Sequence, residues 1–100
     1  MVKHIVMFKL KEKAEGRGKD VNASKMKKMI EALPEKIEEL ISMEVGLDIN
    51  GSDAAYDIVL YSEFDNEEAL NNYQVHPEHQ KVLEFVKKVI DDRVVVDYKI

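Results

Sequence analysis

Four polar, titratable side chains in this sequence are candidates for chemistry, and three of them lie in one short stretch. The segment YQVHPEHQ contains Tyr73, His76 and His79, and the third histidine of the chain is His4. Imidazole gains or loses a proton near neutral pH, and a phenol can orient an imidazole or donate a hydrogen bond. These residue types therefore suggest either proton transfer or metal binding.

The spacing of His76 and His79 resembles that of a metal site, but the proline between them argues against one. A residue before proline is disfavoured in helical conformation, and Pro77 suits the first position of a helix. His76 is therefore predicted to be a cap or loop residue whose ring need not point with that of His79. Zinc also needs a third protein ligand, which only His4 or a carboxylate could supply. We predict no metal site.

His79 is predicted to point into the protein interior. It lies three, four, seven and eleven residues before Val82, Leu83, Val86 and Ile90, which is the spacing of one buried helical stripe. One interpretation is a core histidine that donates a hydrogen bond to a backbone carbonyl. The other is shared proton-transfer chemistry with Tyr73 and His4, since both are also predicted to face the interior.

The elements that must position these residues follow from hydrophobic periodicity. Alternating apolar residues predict four strands, and apolar residues at three- and four-residue steps predict the helices between them. The resulting order, β-α-β-β-α-β, is that of a ferredoxin-like α+β protomer, with a four-stranded antiparallel sheet and helices on one face. The predicted strands cover residues 2–11, 43–50, 56–64 and 93–100.

Local signals predict where the helices begin and break. The first helix is expected from Asn22, with Asp20 or Asn22 as its cap. Pro34 disfavours helical backbone at the residue before it, which predicts a kink followed by a short helix to about Ile41. The next helix is expected to open at Asp65, because an acidic residue three positions later completes the spacing of a capping box.

The sheet face that the helices leave uncovered is predicted to be partly apolar. On the first strand the row of His4, Val6 and Phe8 is assigned to the helix side. An exposed apolar surface on a small protein usually marks an interface, and a two-fold dimer that packs sheet on sheet would cover it. We therefore predict a homodimer formed through the sheet faces. Apolar residues opposite the main rows of the strands are Ile5, Met7, Val59, Tyr61 and Val95.

Composition limits the possible partners and locations. The 100 residues fit one domain over 1–100, and the absence of cysteine rules out disulfides and thiolate chemistry. Acidic residues outnumber basic ones by 20 to 15, which disfavours nucleic acid as a partner. No apolar run approaches the roughly 20 residues that span a membrane, and no signal peptide pattern is recognised. We expect a cytoplasmic protein with no nucleic acid or membrane partner.

The sequence resembles the stress-responsive dimeric α/β-barrel family, known as Dabb. The resemblance covers nearly the whole chain and rests on VKHIVMFKLK, MEVGLDI, YDIVLYSEFDNEEALNNYQVHPEHQ and VVVDYKI. The combination of strand-initial KHIV with Y-x-x-H-P-x-H is the most specific part. The resemblance implies a ferredoxin-like protomer and a homodimer whose two sheets form a barrel.

One plant branch of the family is a polyketide cyclase, which closes a linear β-polyketo thioester by intramolecular aldol condensation. Its catalytic residues match His79, Tyr73 and His4. By this resemblance His79 would be the general base, Tyr73 would orient it or polarise a carbonyl, and His4 would assist by hydrogen bonding. Met26 and Met29 replace aromatic residues that line the cyclase cavity, and because methionine fills irregular space the cavity is expected to be smaller or absent.

Three functions remain open from the sequence. The first is a small homodimeric barrel that binds an apolar or aromatic small molecule between helices and sheet. The second is a cyclase-like enzyme, and the third is a non-catalytic stress-response or interaction module in which the same residues only pack. No cofactor is predicted. The expected pocket residues are Met26, Met29, Phe8 and Val82.

Overall fold

The computed structural model describes residues 1–100 and shows a four-stranded antiparallel sheet with three helices. The sheet order is β4-β5-β1-β6, and a small hairpin, β2-β3, precedes the first helix. The predicted ferredoxin-like architecture is therefore confirmed, and the hairpin is an addition to it. The elements are β1 (Val2–Leu10), β2 (Lys13–Ala14), β3 (Arg17–Gly18), α1 (Lys19–Glu31), β4 (Ser42–Leu47), β5 (Ile58–Phe64), α2 (Glu67–Val75), α3 (Pro77–Val89) and β6 (Ile90–Lys99).

The start of α1 differs from the sequence prediction. The helix begins at Lys19, and its cap is Gly18, which forms no side-chain capping bond. Asn22 is instead fully buried inside the first turns. Its Nδ2 donates to the carbonyl oxygens of Ala14 at 3.0 Å and Arg17 at 3.3 Å. Asn22 therefore does not cap α1, and its side chain instead attaches the β2-β3 hairpin to this helix.

The predicted short helix after Pro34 is wrong. Residues 32–40 form a series of turns, in which the N–H groups of Lys36 and Ile37 both donate to the carbonyl oxygen of Leu33 at 2.9 Å. The apolar residues of this segment are nevertheless mostly buried, since Leu33, Ile37 and Leu40 belong to the core, whereas Ile41 is 47% exposed. Side chains spaced by three and four residues can therefore face inward from turns as well as from a helix.

The junctions around α2 and α3 are set by two polar caps. Asn66, not Asp65, caps α2, and its Oδ1 accepts a hydrogen bond from the N–H of Ala69 at 2.9 Å. His76 ends α2 and caps α3, with its Nδ1 accepting from the N–H of Glu78 at 3.1 Å. The prediction that His76 is a cap residue is confirmed. Its extended backbone separates the two helices.

The core lies between the helices and one face of the sheet. On β1 the row of His4, Val6 and Phe8 is buried, as predicted. The register pairs Val6 with Val95, so Val95 lies on the helix side of the sheet. The prediction that Val95 belongs to the uncovered face is therefore wrong. We define the open sheet face as the apolar residues on the other side, namely Ile5, Met7, Val59, Tyr61, Val94, Val96 and Tyr98.

None of the three helices combines the length and the hydrophobicity that crossing a bilayer requires.

Candidate functional site

His4, Tyr73 and His79 come together between the sheet and the helices. The ring centroids of Tyr73 and His79 are 4.3 Å apart, and those of His4 and Tyr73 are 6.3 Å apart. The parity of β1 directs His4 inward, the inner side of α2 carries Tyr73, and the restart of the helix at Pro77 turns His79 toward both. Three segments that are distant in sequence thus form one polar cluster in an otherwise apolar interior.

The hydrogen bond of His79 defines which ring nitrogen is available. Its Nδ1 lies 3.0 Å from the carbonyl oxygen of Gln74, and because a carbonyl can only accept, Nδ1 carries the hydrogen. In the neutral ring Nε2 then keeps its lone pair. Burial lowers the pKa of His79 from its usual 6.5, and the positive charges of neighbouring groups lower it further. His79 is therefore neutral at pH 7, with Nε2 available as a base.

Tyr73 complements this base as a hydrogen-bond donor. Its side chain is 1% exposed, and burial raises the pKa of its hydroxyl well above the usual value of 10. The phenol therefore keeps its proton at neutral pH. No side-chain nitrogen or oxygen is both fully buried and without a partner, and the Tyr73 hydroxyl forms no hydrogen bond. The hydroxyl proton is therefore not used in a hydrogen bond within the protein.

His4 is held by a carboxylate that sequence reasoning missed. Its Nδ1 donates to Oδ1 of Asp97, and β1 and β6 pair these two residues directly across the sheet. The carboxylate orients the ring and leaves the opposite nitrogen of His4 for other contacts. Asp97 is a positioning residue for His4. Asp97 lies within the last strand predicted from the sequence, but only the pairing of β6 with β1 shows that Asp97 faces His4.

A pocket of about 310 Å³ opens beside the cluster. It lies between α3 and the sheet and is bounded by His4 and His79, and Tyr73, which packs against His79, does not line it. The size is at the lower end of the range for small-molecule sites. The pocket is lined by His4, Val6, Phe8, Leu60, Gln74, His79, Leu83, Val86, Lys87, Ile90 and Arg93.

Of the four residues expected to line a pocket, only Phe8 does so here. Met26 is fully buried and Val82 nearly so, and both fill the core. Met29 borders a shallow depression on the exposed side of α1 instead. The pocket therefore lies nearer the C-terminal end of α3 than the sequence suggests, because the methionines of α1 complete the core rather than enclose a cavity.

No group of three or more His, Asp or Glu side chains is arranged to hold a metal ion. The Nδ1 of His76 is used in capping α3, and the Nδ1 of His79 binds the carbonyl of Gln74. The two histidines of the H-x-x-H spacing therefore have separate structural partners.

The lowered pKa of His79 predicts a pH-dependent contribution to stability. As the pH falls, the unfolded chain binds a proton at this residue near pH 6.5, before the folded protein does. The contribution of His79 to the free energy of unfolding is therefore complete above that pH and is lost as the pH falls below it. We expect His79→Gln to reduce the loss in free energy of unfolding between pH 7 and pH 5, measured by urea denaturation. An NMR titration that placed the His79 pKa at or above 6.5 would contradict this prediction.

The fold and the site together define a class, a ferredoxin-like domain with two imidazoles and a phenol beside a small pocket. The chain belongs to the stress-responsive A/B barrel domain family, whose family model matches residues 2–100. The resemblance recognised in the sequence motifs is therefore confirmed.

Two relatives are similar to this chain over most of its length. The chain is 27% identical over 105 residues to the stress-response A/B barrel domain-containing protein DABB1 of Arabidopsis thaliana, covering 98% of this chain and 46% of that protein. It thus spans about half the length of that relative. An uncharacterised protein of Streptomyces coelicolor is 35% identical over 81 residues, which is 80% of each chain.

Among solved structures, the chain is similar to a dimeric protein of unknown function with a ferredoxin-like fold from Bacteroides fragilis. The sequences are 40% identical, the TM-score is 0.88, and the match covers 99% of this chain and 95% of the other.

Proposed function

We propose that this protein is a homodimer that binds a small apolar or aromatic molecule in the pocket between α3 and the sheet. The observation that carries the proposal is the pocket of about 310 Å³, which combines apolar walls with two imidazoles. Ligand sites typically combine apolar surface with a few polar groups that fix orientation. His79 lines the pocket and offers an acceptor through Nε2, so a hydroxyl group of a bound molecule would find a complementary partner there.

The dimer is supported by the open sheet face. Met7, Val59, Val94, Val96 and Tyr98 are each between 38% and 59% exposed and form a continuous apolar surface across three strands. A two-fold contact would cover the same surface on both copies. The Bacteroides fragilis relative, 40% identical, is a dimeric protein.

A second surface feature agrees with this arrangement. A depression of about 540 Å³ lies at the β4 edge of the same face and is lined by Met7, Leu47, Ile49 and Val59, among others. Met7 and Val59 belong to the open sheet face and are 39% and 38% exposed, whereas Leu47 pairs with Ile58 on the helix side. Burial of Met7 and Val59 against a second copy would stabilise the association by the hydrophobic effect.

Binding can be tested with a neutral aromatic probe, 2-naphthamide, by isothermal titration calorimetry. We expect Leu83→Trp to weaken binding at least about 10-fold, because the larger side chain would fill a pocket already at the lower size limit. The matched control is Ile41→Trp, since Ile41 is 47% exposed and does not line the pocket. Unchanged affinity in Leu83→Trp, or no binding to the unmodified protein, would overturn the proposal.

A cyclase-like reaction is the second candidate, favoured by the protonation states of the cluster. A neutral His79 can take an α-proton through Nε2, and a protonated Tyr73 can stabilise the enolate oxygen that develops on the substrate carbonyl. The carbanion then attacks a second carbonyl of the same substrate molecule, and His79 returns the proton to the new alkoxide. The substrate of this reaction would be a linear β-polyketo thioester, which the protein would cyclise.

A further inference from the structure

The charges around the pocket are opposite in sign to the charge of the whole protein. The chain carries a net charge of −5. The pocket is nevertheless lined by Lys87, Arg93 and two imidazoles, and by no aspartate or glutamate. The carboxylate of Asp97, which is bonded to His4, is the opposing charge beside this lining. The two cationic side chains against one carboxylate leave a positive potential at the pocket.

Arg93 and Lys87 reach the pocket from opposite sides. Arg93 lies on β6, where it pairs with Phe8 and shares the helix side of the sheet with it. Lys87 lies in the last turn of α3. Both residues are exposed, so their charged groups lie at the mouth rather than in the apolar interior.

Neither of these basic side chains has a partner within the protein. The ion pairs of the structure involve other residues, including the neighbouring Lys88, which contacts Glu15 at 3.9 Å. The side chain of Arg93 forms no hydrogen bond, and the side chain of Asp92 accepts from the backbone N–H of Arg93 instead. The guanidinium therefore has all its donors available to a bound group.

The positive charge of Arg93 also acts on the polar cluster. It lowers the pKa of both His79 and Tyr73 electrostatically, although burial is the larger influence on each. The guanidinium is thus near enough to act on a molecule held in the pocket beside His79. Arginine presents a planar set of donors that matches the two oxygens of a carboxylate.

We propose that the pocket selects an amphipathic anion, in which an apolar or aromatic body enters beside His79 and a carboxylate binds Arg93, with Lys87 adding positive charge. This rests on the proposed binding function and names its ligand class. The carboxylate stays at the solvent-exposed mouth, where its desolvation is incomplete. The body contacts Phe8 and the apolar residues of α3.

The test compares 2-naphthoate with its neutral analogue 2-naphthamide at pH 7 by isothermal titration calorimetry. We expect the carboxylate to bind about 10-fold more tightly, as a charge-assisted hydrogen bond implies. Arg93→Gln should remove this preference, which is measured as the ratio of the affinities for 2-naphthoate and 2-naphthamide in the same variant. Lys88→Gln is the matched control, since it removes the same charge from a residue that does not line the pocket and should keep the preference.

The outcomes separate the two proposals. Equal affinity of the unmodified protein for both probes, or a preference that survives in Arg93→Gln, overturns the anion selectivity while binding itself stands. Binding of neither probe overturns the proposed function together with this inference. Loss of the preference in Lys88→Gln as well would show that net charge, rather than a contact with Arg93, is responsible, and would also overturn it.

Discussion

Val59→Lys is expected to convert the dimer into monomers. Val59 lies near the middle of the open sheet face, paired with Met7, and is 38% exposed in the single chain. In a two-fold interface the substitution places two lysines in apolar surroundings, where desolvation and like-charge repulsion both oppose association. We expect the dissociation constant to rise at least about 100-fold, since such contacts cost several kcal/mol. Size-exclusion chromatography with light scattering over a concentration series measures the change.

The control for this variant is Val21→Lys. Val21 is also an exposed valine, at 56%, but it lies on α1, away from the sheet face. It introduces the same charge and should leave the dimer intact. A Val59→Lys protein that remains dimeric at the same concentrations would show that the sheet faces do not form the interface.

The second large effect is expected at Tyr73, whose ring and hydroxyl have separable roles. Tyr73 is 1% exposed and packs against Phe64 with ring centroids 5.1 Å apart, as well as against His79. Removal of a buried aromatic ring leaves a cavity and forfeits its transfer free energy. We expect Tyr73→Ala to lower the free energy of unfolding by about 3–5 kcal/mol in urea denaturation.

Tyr73→Phe keeps the ring and removes only the hydroxyl. That hydroxyl has no hydrogen-bond partner in the protein, so stability should change by less than about 1 kcal/mol. If the protein cyclises a β-polyketo thioester, turnover should fall about 100-fold or more, because a positioned donor is lost at the developing oxyanion. Unchanged turnover in Tyr73→Phe would exclude the hydroxyl from the chemistry, and a large loss of stability would indicate an internal partner.

The inward direction of the polar cluster was predictable from local geometry. Side chains alternate along a strand and repeat at about 3.6 residues along a helix, so the positions of His4 and His79 relative to apolar neighbours define the face they share. The cap role of His76 was equally local, since Pro77 restricts the backbone before it. None of these assignments depends on distant parts of the chain.

Helix ends and the segment after α1 were less predictable, because several local structures satisfy the same pattern. Leu33 and Ile37 are buried from turns where a helix was expected, and Asn22 fastens a hairpin where a cap was expected. The backbone of the 33–37 segment is satisfied by local turn bonds, which a run of apolar residues at three- and four-residue steps does not distinguish from a helix. The partners of Asn22 lie in the preceding hairpin, which the pattern of α1 alone does not contain.

Strand parity, helical spacing and proline act within a few residues, so the element order and the inward positions of His4, Tyr73 and His79 follow from local sequence. The family follows from the resemblance of whole motifs. The tertiary structure decided where the pocket opens and which charges surround it. Asp97 reaches His4, and Arg93 reaches the pocket mouth, only because β6 pairs antiparallel with β1 in one register. A shift of that register by one residue would turn both side chains to the other face of the sheet.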